Sequence, residues 1–319
     1  MKISIIVPAY NAERTIDKCL KALLNQTYGR ESYEVIVVDD GSSDKTAGIA
    51  ESLGAKVIRQ KNAGPAAARN RGVDEAKGDI ILFTDSDCVP AKDWIAQMTA
   101  PFEDSETGAV KGAYRTEQRS LVARFAQVEF EERFEMLKKA DSIDMVDTYS
   151  AGYRKEIFLK AGGFDKDFPV ANNEDTELSY KLSGLGIKMV FNPDAIVCHL
   201  NHPDTVLRYA RLKFWRGYWR MVVYRRFPDK MMKDTYTPQS LKLQILFLFL
   251  VAAGVFISLF YPLAGAYFVI IPAIGFFTIS LPFIIFALKK DLPVAMTAPF
   301  MLLLRALSIG CGIILGLVF

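Results

Sequence analysis

The stretch Ile80-Ile81-Leu82-Phe83-Thr84-Asp85-Ser86-Asp87-Cys88-Val89-Pro90 carries an apolar run long enough for one buried strand. It ends abruptly in two carboxylates separated by one serine. In an extended or tightly turning segment, residues i and i+2 point to the same side, so Asp85 and Asp87 face one ligand at the C-terminal end of the strand. Two carboxylates held together without a basic neighbour repel unless a cation sits between them, and hard oxygen ligands suit Mg2+ or Mn2+ bridging to phosphate. The competing reading is a pair of turn or capping aspartates before a helix starting near Ala91. On this stretch alone both stay open.

Upstream, Ile3 to Val7 is a short apolar strand stopped by Pro8 and followed by Tyr10 and Asn11. Asn11 is placed to cap the next helix, whose Ile16, Leu20, Leu23 and Leu24 fall on one face. Glu34 to Val38 is a second strand running into Asp39-Asp40-Gly41-Ser42-Ser43-Asp44. Lys56 to Arg59 is a third, leading to Asn62-Ala63-Gly64-Pro65 and a helix start with Arg69, Asn70 and Arg71. Strands alternating with helices of about ten residues predict a parallel sheet with helices on both faces, which binds ligands outside its strand C-termini. Tyr10, Asp39 and Asp40, Asn62 to Arg69, and Asp85 and Asp87 all fall at that edge.

No G-x-G-x-x-G follows the first strand, and G-x-x-x-x-G-K-[ST] is absent from the chain. A dinucleotide fingerprint and a P-loop are therefore excluded. Phosphate is left to metal on carboxylates, which points to a sugar nucleotide or another nucleotide-activated group.

The composition divides the 319 residues. Leu243 to Leu288 contains no Asp, Glu, Lys or Arg, enough for two membrane spans broken near Tyr261-Pro262 and Gly265. Lys289, Lys290 and Asp291 make a polar break, and Pro293 to Phe319 supplies a third span that carries Pro299 and Arg305. An arginine within a span is expensive; it either serves a function, such as pairing with a lipid phosphate, or snorkels. Nine Lys or Arg residues between Arg208 and Lys233, against Asp229 alone, are interleaved with Phe214, Trp215, Tyr218, Trp219, Tyr224 and Phe227. That pattern, next to a span, fits an anionic membrane face on the cytoplasmic side better than nucleic acid. No signal peptide is visible, so the first 235 residues are expected in the cytoplasm. The four cysteines show no CxxC pairing and read as reduced thiols.

Ile5-Ile6-Val7-Pro8-Ala9-Tyr10-Asn11, Val37-Val38-Asp39-Asp40-Gly41-Ser42-Ser43-Asp44-Lys45-Thr46, Asn62-Ala63-Gly64 with Ala68-Arg69-Asn70-Arg71-Gly72, and Thr84-Asp85-Ser86-Asp87 together resemble the family 2 glycosyltransferases. These four motifs stand in the family's order over residues 3 to 90, and the likeness continues less tightly to about residue 202. It implies a GT-A fold, an α/β, Rossmann-like nucleotide-diphospho-sugar transferase domain, followed by C-terminal transmembrane helices.

Further along, a helix from about Lys92 to Phe102 and a strand from Ala109 to Tyr114 precede Leu121 to Leu137. There Phe125, Val128, Phe130, Phe134 and Leu137 alternate with four glutamates, which fits an amphipathic helix packed on the sheet or touching the membrane. Ala140 to Met145 reads as a mobile loop. Gly162-Gly163-Phe164 is a sharp turn ahead of Asn172-Asn173-Glu174-Asp175 and a helix from Thr176 to Gly184. By themselves Glu174 and Asp175 fit helix-start carboxylates offsetting the dipole. The resemblance makes Asp175 the general base for the acceptor hydroxyl, with Glu174 assisting. It also makes His199, after the strand Ala195 to Cys198, a third metal ligand beside Asp87 and Asp85, with His202 as its substitute.

The resemblance further gives Pro8, Tyr10, Asn11, Asp39, Asp40, Asn62, Arg69, Asp85 and Ser86 to the nucleotide-sugar. The expected organisation is a cytoplasmic catalytic domain at 1–205 (donor half 1–115, acceptor half 116–205), an interface segment at 206–238, and two to three spans at 239–319. The expected activity is inverting, Mg2+- or Mn2+-dependent transfer of a sugar to a lipid-linked acceptor at the plasma membrane: polyprenyl phosphate, a polyprenyl-linked glycan or a glycerolipid. Two rivals stand beside it. A processive polysaccharide synthase carries a Gln-x-x-Arg-Trp motif, which Lys213-Phe214-Trp215-Arg216 does not match. A non-catalytic scaffold would have a broken metal motif, whereas Asp85, Asp87 and Asp175 are all present.

Overall fold

The computed structural model describes residues 1–168 and 172–318. They form two compact units, Met1–Glu117 with Met136–His202, and Gln118–Glu135 with Pro203 onward.

In the first unit β1 (Ile3–Ala9), β2 (Tyr33–Asp39), β3 (Lys56–Arg59) and β4 (Ile80–Phe83) alternate with α1 (Ile16–Leu24), α2 (Thr46–Ser52) and α3 (Pro65–Asp74). β5 (Cys88–Pro90), α4 (Trp94–Thr99) and β6 (Thr107–Arg115) follow, and the chain then leaves through α5 (Leu121–Leu137). It returns to β7 (Ala151–Arg154), α6 (Lys155–Lys160), α7 (Glu174–Gly184) and β8 (Lys188–His199). All eight strands join one sheet in the order β3-β2-β1-β4-β7-β6-β8-β5. Ile5, Ile6, Val37, Val38, Ile81 and Leu82 are wholly buried, as expected of strands covered on both faces. Parallel pairing sets Ala9 opposite Asp39 and Ile6 opposite Phe83, so β1, β2 and β4 end at one edge.

β1 to β4 run parallel to one another, as the strand–helix alternation over residues 3–84 predicts, while the sheet as a whole is mixed. β7 runs antiparallel to both β4 and β6, and β5 runs antiparallel to β8. A short buried run has the same composition in either direction; here its direction follows from where the chain re-enters after α5. Two local expectations change. α1 begins after Thr15, and Asn11, at φ 49°, reaches across to the Ser42–Ser43 turn instead of capping. Ala140 to Met145 is tied down, because Ile143 and Met145 are buried and the Ile143 amide donates to the Met189 carbonyl at 2.8 Å.

The second unit holds most of α5 together with α8 (Val206–Arg226), α9 (Pro228–Met232), α10 (Gln239–Ser258), α11 (Pro262–Leu288) and α12 (Leu292–Val318). α10, α11 and α12, of 20, 27 and 27 residues, are long and apolar enough to cross a membrane, which favours three spans over two. The expected break falls at Tyr261-Pro262; the terminal Phe319 of the third expected span lies outside the described residues. The apolar side of α5 (Val122, Phe125, Ala126, Val128) packs with Tyr209, Phe283 and the α12 residues Val294 to Leu302 of the same unit. α8 approaches α12 backbone to backbone: a Cβ on Gly217 would overlap the Ile309 carbonyl, and one on Gly312 the Phe214 carbonyl.

Arg305 neither snorkels nor waits for a lipid. It is 2% exposed and donates to Glu129 Oε1 at 2.9 Å and to Gln244 Oε1 at 2.8 Å. Lys213 and the Tyr209 hydroxyl meet the other Glu129 oxygen at 2.9 and 2.8 Å. Burial pushes the Glu129 carboxyl up, yet Lys213 and Arg305 outweigh it and hold the group well below the usual carboxylate range.

Candidate active site

At the shared strand edge the two aspartates after β2 divide their work. Asp40 is 3% exposed and accepts from Gln60 Nε2 at 2.7 Å and from the Ala63 and Gly64 amides at 2.9 Å each. Both of its oxygens thus shape the Asn62 loop. Asp39 is buried and accepts from the Ser42 amide at 3.2 Å. Gly41, at φ +79°, lets the chain turn directly after them, and a Cβ there would press on the Asn62 amide at 2.9 Å. Asn11 Oδ1 accepts from the Ser43 amide at 2.9 Å, tying the β1 and β2 ends together. Pro8 is half-buried opposite Val38, whereas Tyr10, 54% exposed, and Asn62 face solvent.

Arg69 lies at the centre of the edge, 2% exposed on α3. It donates from Nη2 to Asp85 Oδ1 and from Nη1 to Glu174 Oε1, each at 2.8 Å. Burial lowers the affinity of this guanidinium for its charge, but Asp85 and Glu174 more than restore it. The fork therefore joins the turn after β4 to the first turn of α7. Asn173, left-handed at φ 67°, directs the chain into that helix. Glu174 is 2% exposed; burial and the neighbouring Asp175 push its carboxyl up to about 7 against the pull of Arg69. Asp175 is half-buried and accepts from the Thr176 amide at 2.7 Å. Of the two helix-start carboxylates, then, Glu174 faces the interior and Asp175 is open to a substrate.

Strand pairing brings Asp87 and His199 together, whereas Asp85, expected as a further ligand with no basic neighbour, is held by Arg69 at 2.8 Å. Cys88 faces His199 across β5 and β8, and the Leu200 amide donates to the Asp87 carbonyl at 2.9 Å. His199 Nε2 stands 3.8 Å from Asp87 Oδ1, and the Cys88 sulfur completes a group of ligand atoms within 4.8 Å of one another. Burial, then Asp85 and Asp87, push the Cys88 thiol well above its ordinary value. One carboxylate and one imidazole, a quarter and a fifth exposed, leave open positions for phosphate oxygens, which fits Mg2+ or Mn2+ better than a thiolate-bound metal. Burial and Asp85 raise the Asp87 carboxyl, while His199 opposes them. His199 Nδ1 accepts from the Asn201 amide at 3.2 Å, which turns Nε2 toward Asp87. Asp85 is engaged by Arg69, and Ser86 is half-buried in the turn. His202 is 6% exposed with its Nε2 3.1 Å from the Tyr114 hydroxyl, and it does not join the Asp87 group.

Some contributors are not among the residues that the sequence assigns to the site. Asn70 exchanges hydrogen bonds with the Phe164 backbone at 2.7 and 3.0 Å, pinning the Gly162-Gly163-Phe164 turn to α3. Thr84 donates to the Tyr149 carbonyl at 2.9 Å, and Tyr114 lies beside His199. Each pair is more than 60 residues apart in sequence.

Residues 4–162 match the model of Glycosyl transferase family 2. This part of the chain is a glycosyl transferase family 2 domain. The family 2 chain is 27% identical over 221 residues to glycosyltransferase AglE of Haloferax volcanii, covering 67% of this chain and 72% of that protein. It is 30% identical over 236 residues to the probable glycosyltransferase YdaM of Bacillus subtilis, covering 69% of this chain but only 53% of that one. A mannosyltransferase from Pyrobaculum calidifontis, solved in complex with GDP-Man and Mn2+, superposes with a TM-score of 0.62 at 20% identity, covering 99% of this chain and 87% of its own. That likeness shows the fold, a GT-A sheet with helices followed by long apolar helices.

Proposed function

We propose that this family 2 enzyme transfers a sugar, with inversion, from a nucleotide-sugar to a lipid-linked acceptor at the cytoplasmic face of a cell membrane. The observation that carries this reading is the bridge from Asp85 through Arg69 to Glu174, which holds the Asp87–His199 pair and Asp175 on one sheet edge. Asp39 and Tyr10 receive the nucleoside, on a loop that Asp40 shapes through Asn62. Asp87 and His199 would hold a divalent cation, with Asp85 kept beside them by Arg69. Mg2+ or Mn2+, when bound, supplies a Lewis acid for the departing diphosphate. Arg69 fixes the relative positions of the donor-side turn and the base-bearing helix before charge develops.

Asp175 is open to solvent and takes the acceptor proton when the acceptor is a hydroxyl. When the acceptor is a polyprenyl phosphate, the nucleophile is already an anion and Asp175 only positions it. The relatives support a glycosyl transfer, the solved mannosyltransferase supports a nucleotide-sugar with Mn2+, and three apolar helices support a membrane-held acceptor.

The test is to incubate the detergent-purified chain with a panel of nucleotide-sugars, Mn2+ and extracted membrane lipids, and to weigh the lipid products by mass spectrometry. A lipid heavier by one hexose, N-acetylhexosamine or related residue fits the reading. Sugar release to water or to soluble acceptors alone rejects the lipid acceptor.

A further inference from the structure

Two rings pack against the His199 imidazole, and a third supports one of them. Tyr114 on β6 is 2% exposed, with its ring centroid 5.7 Å from that of His199 and 5.3 Å from that of His202. His202 stands edge-on to His199 at 5.6 Å and meets the Tyr114 hydroxyl through Nε2 at 3.1 Å. Tyr149 supports Tyr114 from the other side, edge to face at 4.7 Å. Beneath Tyr149 lies Lys111, fully buried, paired with Asp147 and donating to the Tyr149 hydroxyl at 2.9 Å. The Tyr149 carbonyl in turn accepts from Thr84, the residue before Asp85. One tyrosine pair therefore touches both arms of the site, the Asp85–Asp87 turn through Thr84 and the His199 ring through Tyr114.

A core that needed only bulk here would be filled by leucine or phenylalanine at less cost. Instead it buries an ammonium, a carboxylate, two phenols and an imidazole, each of which loses water and must be paired with good geometry. Such a network fixes ring orientation, which apolar packing alone does loosely. Ring orientation is what His199 requires, because Nε2 must face Asp87 for the two to reach one cation.

We propose that Tyr114 is a positioning residue for cation binding: locked by Tyr149 and His202, its ring holds the His199 imidazole where it and Asp87 reach one ion. This rests on the cation site of the proposed function. Tyr114 touches neither donor nor acceptor in this scheme, so its loss should act on metal affinity and leave the saturated rate largely intact.

The measurement is Mn2+ uptake by the full-length detergent-solubilised protein, followed by the EPR signal of free Mn2+ with UDP or GDP present, for wild type, Tyr114→Leu, Tyr114→Phe and His202→Asn. Loss of an outer-shell partner typically weakens metal binding 10- to 100-fold. Tyr114→Leu is expected about tenfold weaker, on the order of that range, while Tyr114→Phe, which keeps the ring and loses the hydroxyl, falls between it and wild type. The rate of donor turnover at saturating Mn2+ should return to near the wild-type value. Should Tyr114→Leu fail to fold, Tyr114→Phe and His202→Asn carry the comparison. Folded variants that bind Mn2+ within twofold of wild type overturn the inference alone. A wild-type protein that takes up no Mn2+ overturns the cation reading, and this inference with it.

Discussion

Arg305 of α12 and Glu129 of α5 form an ion pair at 2.9 Å, 2% and 1% exposed, joining a helix of membrane-spanning length to a segment of chain that interrupts the catalytic sheet between β6 and β7. Lys213 and Tyr209 share the same carboxylate, so Glu129 pairs with Arg305 and Lys213 at once. Removing one partner of a buried pair typically costs 3–5 kcal/mol, because the other charge is left without water or partner. Glu129→Ala should therefore lose roughly 3–5 kcal/mol. Arg305→Gln should lose less, since Glu129 keeps Lys213 and Tyr209. Thermal unfolding in detergent orders the two; equal losses would mean that the carboxylate does not serve both cations.

A lysine at position 69 carries the same charge but a single ammonium, which does not reproduce the fork to Asp85 and Glu174. Arg69→Lys should lower the transfer rate about 100-fold through misplacement of the donor turn against α7. Steady-state rates for the folded variant check this, and a rate within threefold of wild type would remove the bridge from the mechanism.

Glu174 gives a pH dependence with a fixed sign. Its carboxyl is pushed from 4.5 up to about 7 by burial and Asp175, so the fold favours the protonated form. That contribution is complete below pH 4.5 and is lost as pH rises through about 7. Between pH 5 and 8 wild type should lose stability relative to Glu174→Gln by about 3 kcal/mol, at 1.36 kcal/mol per unit. Parallel melting curves across that range would contradict the assignment.

Asp40 serves the donor site indirectly, through the Gln60–Gly64 loop. Asp40→Ala strands two backbone amides and should cost about 2–3 kcal/mol. Donor KM should rise about tenfold while kcat stays within threefold, because the loop binds substrate without touching the reacting atoms. A fall in kcat with unchanged KM would place Asp40 in the chemistry instead.

Much of the site could be read before any coordinates. Apolar runs ending in Asp39, Asp40, Asp85 and Asp87 locate the strand ends, because buried strands and their polar tails differ sharply in composition. What composition does not encode is direction and long-range pairing. β7 has the same buried pattern whether parallel or antiparallel. Arg305 and Glu129 are 176 residues apart, and Arg69 and Glu174 are 105 apart, so neither pairing leaves a local trace. Asn11 misleads for a related reason: a helix-capping residue type also suits a left-handed position that reaches a neighbouring loop. His202, the substitute ligand that the resemblance implies, has another partner in Tyr114, against which it is buried.

The most direct test of glycosyl transfer at the Asp85–Asp87 edge is the rate of sugar transfer from the active nucleotide-sugar, measured with Mn2+, with Mg2+ and with EDTA, for wild type and Asp87→Ala side by side. The account predicts wild-type transfer that stops in EDTA and returns with either cation, and a folded Asp87→Ala protein at least about 100-fold slower at saturating Mn2+. Full wild-type activity in EDTA, or an undiminished Asp87→Ala rate, would contradict it.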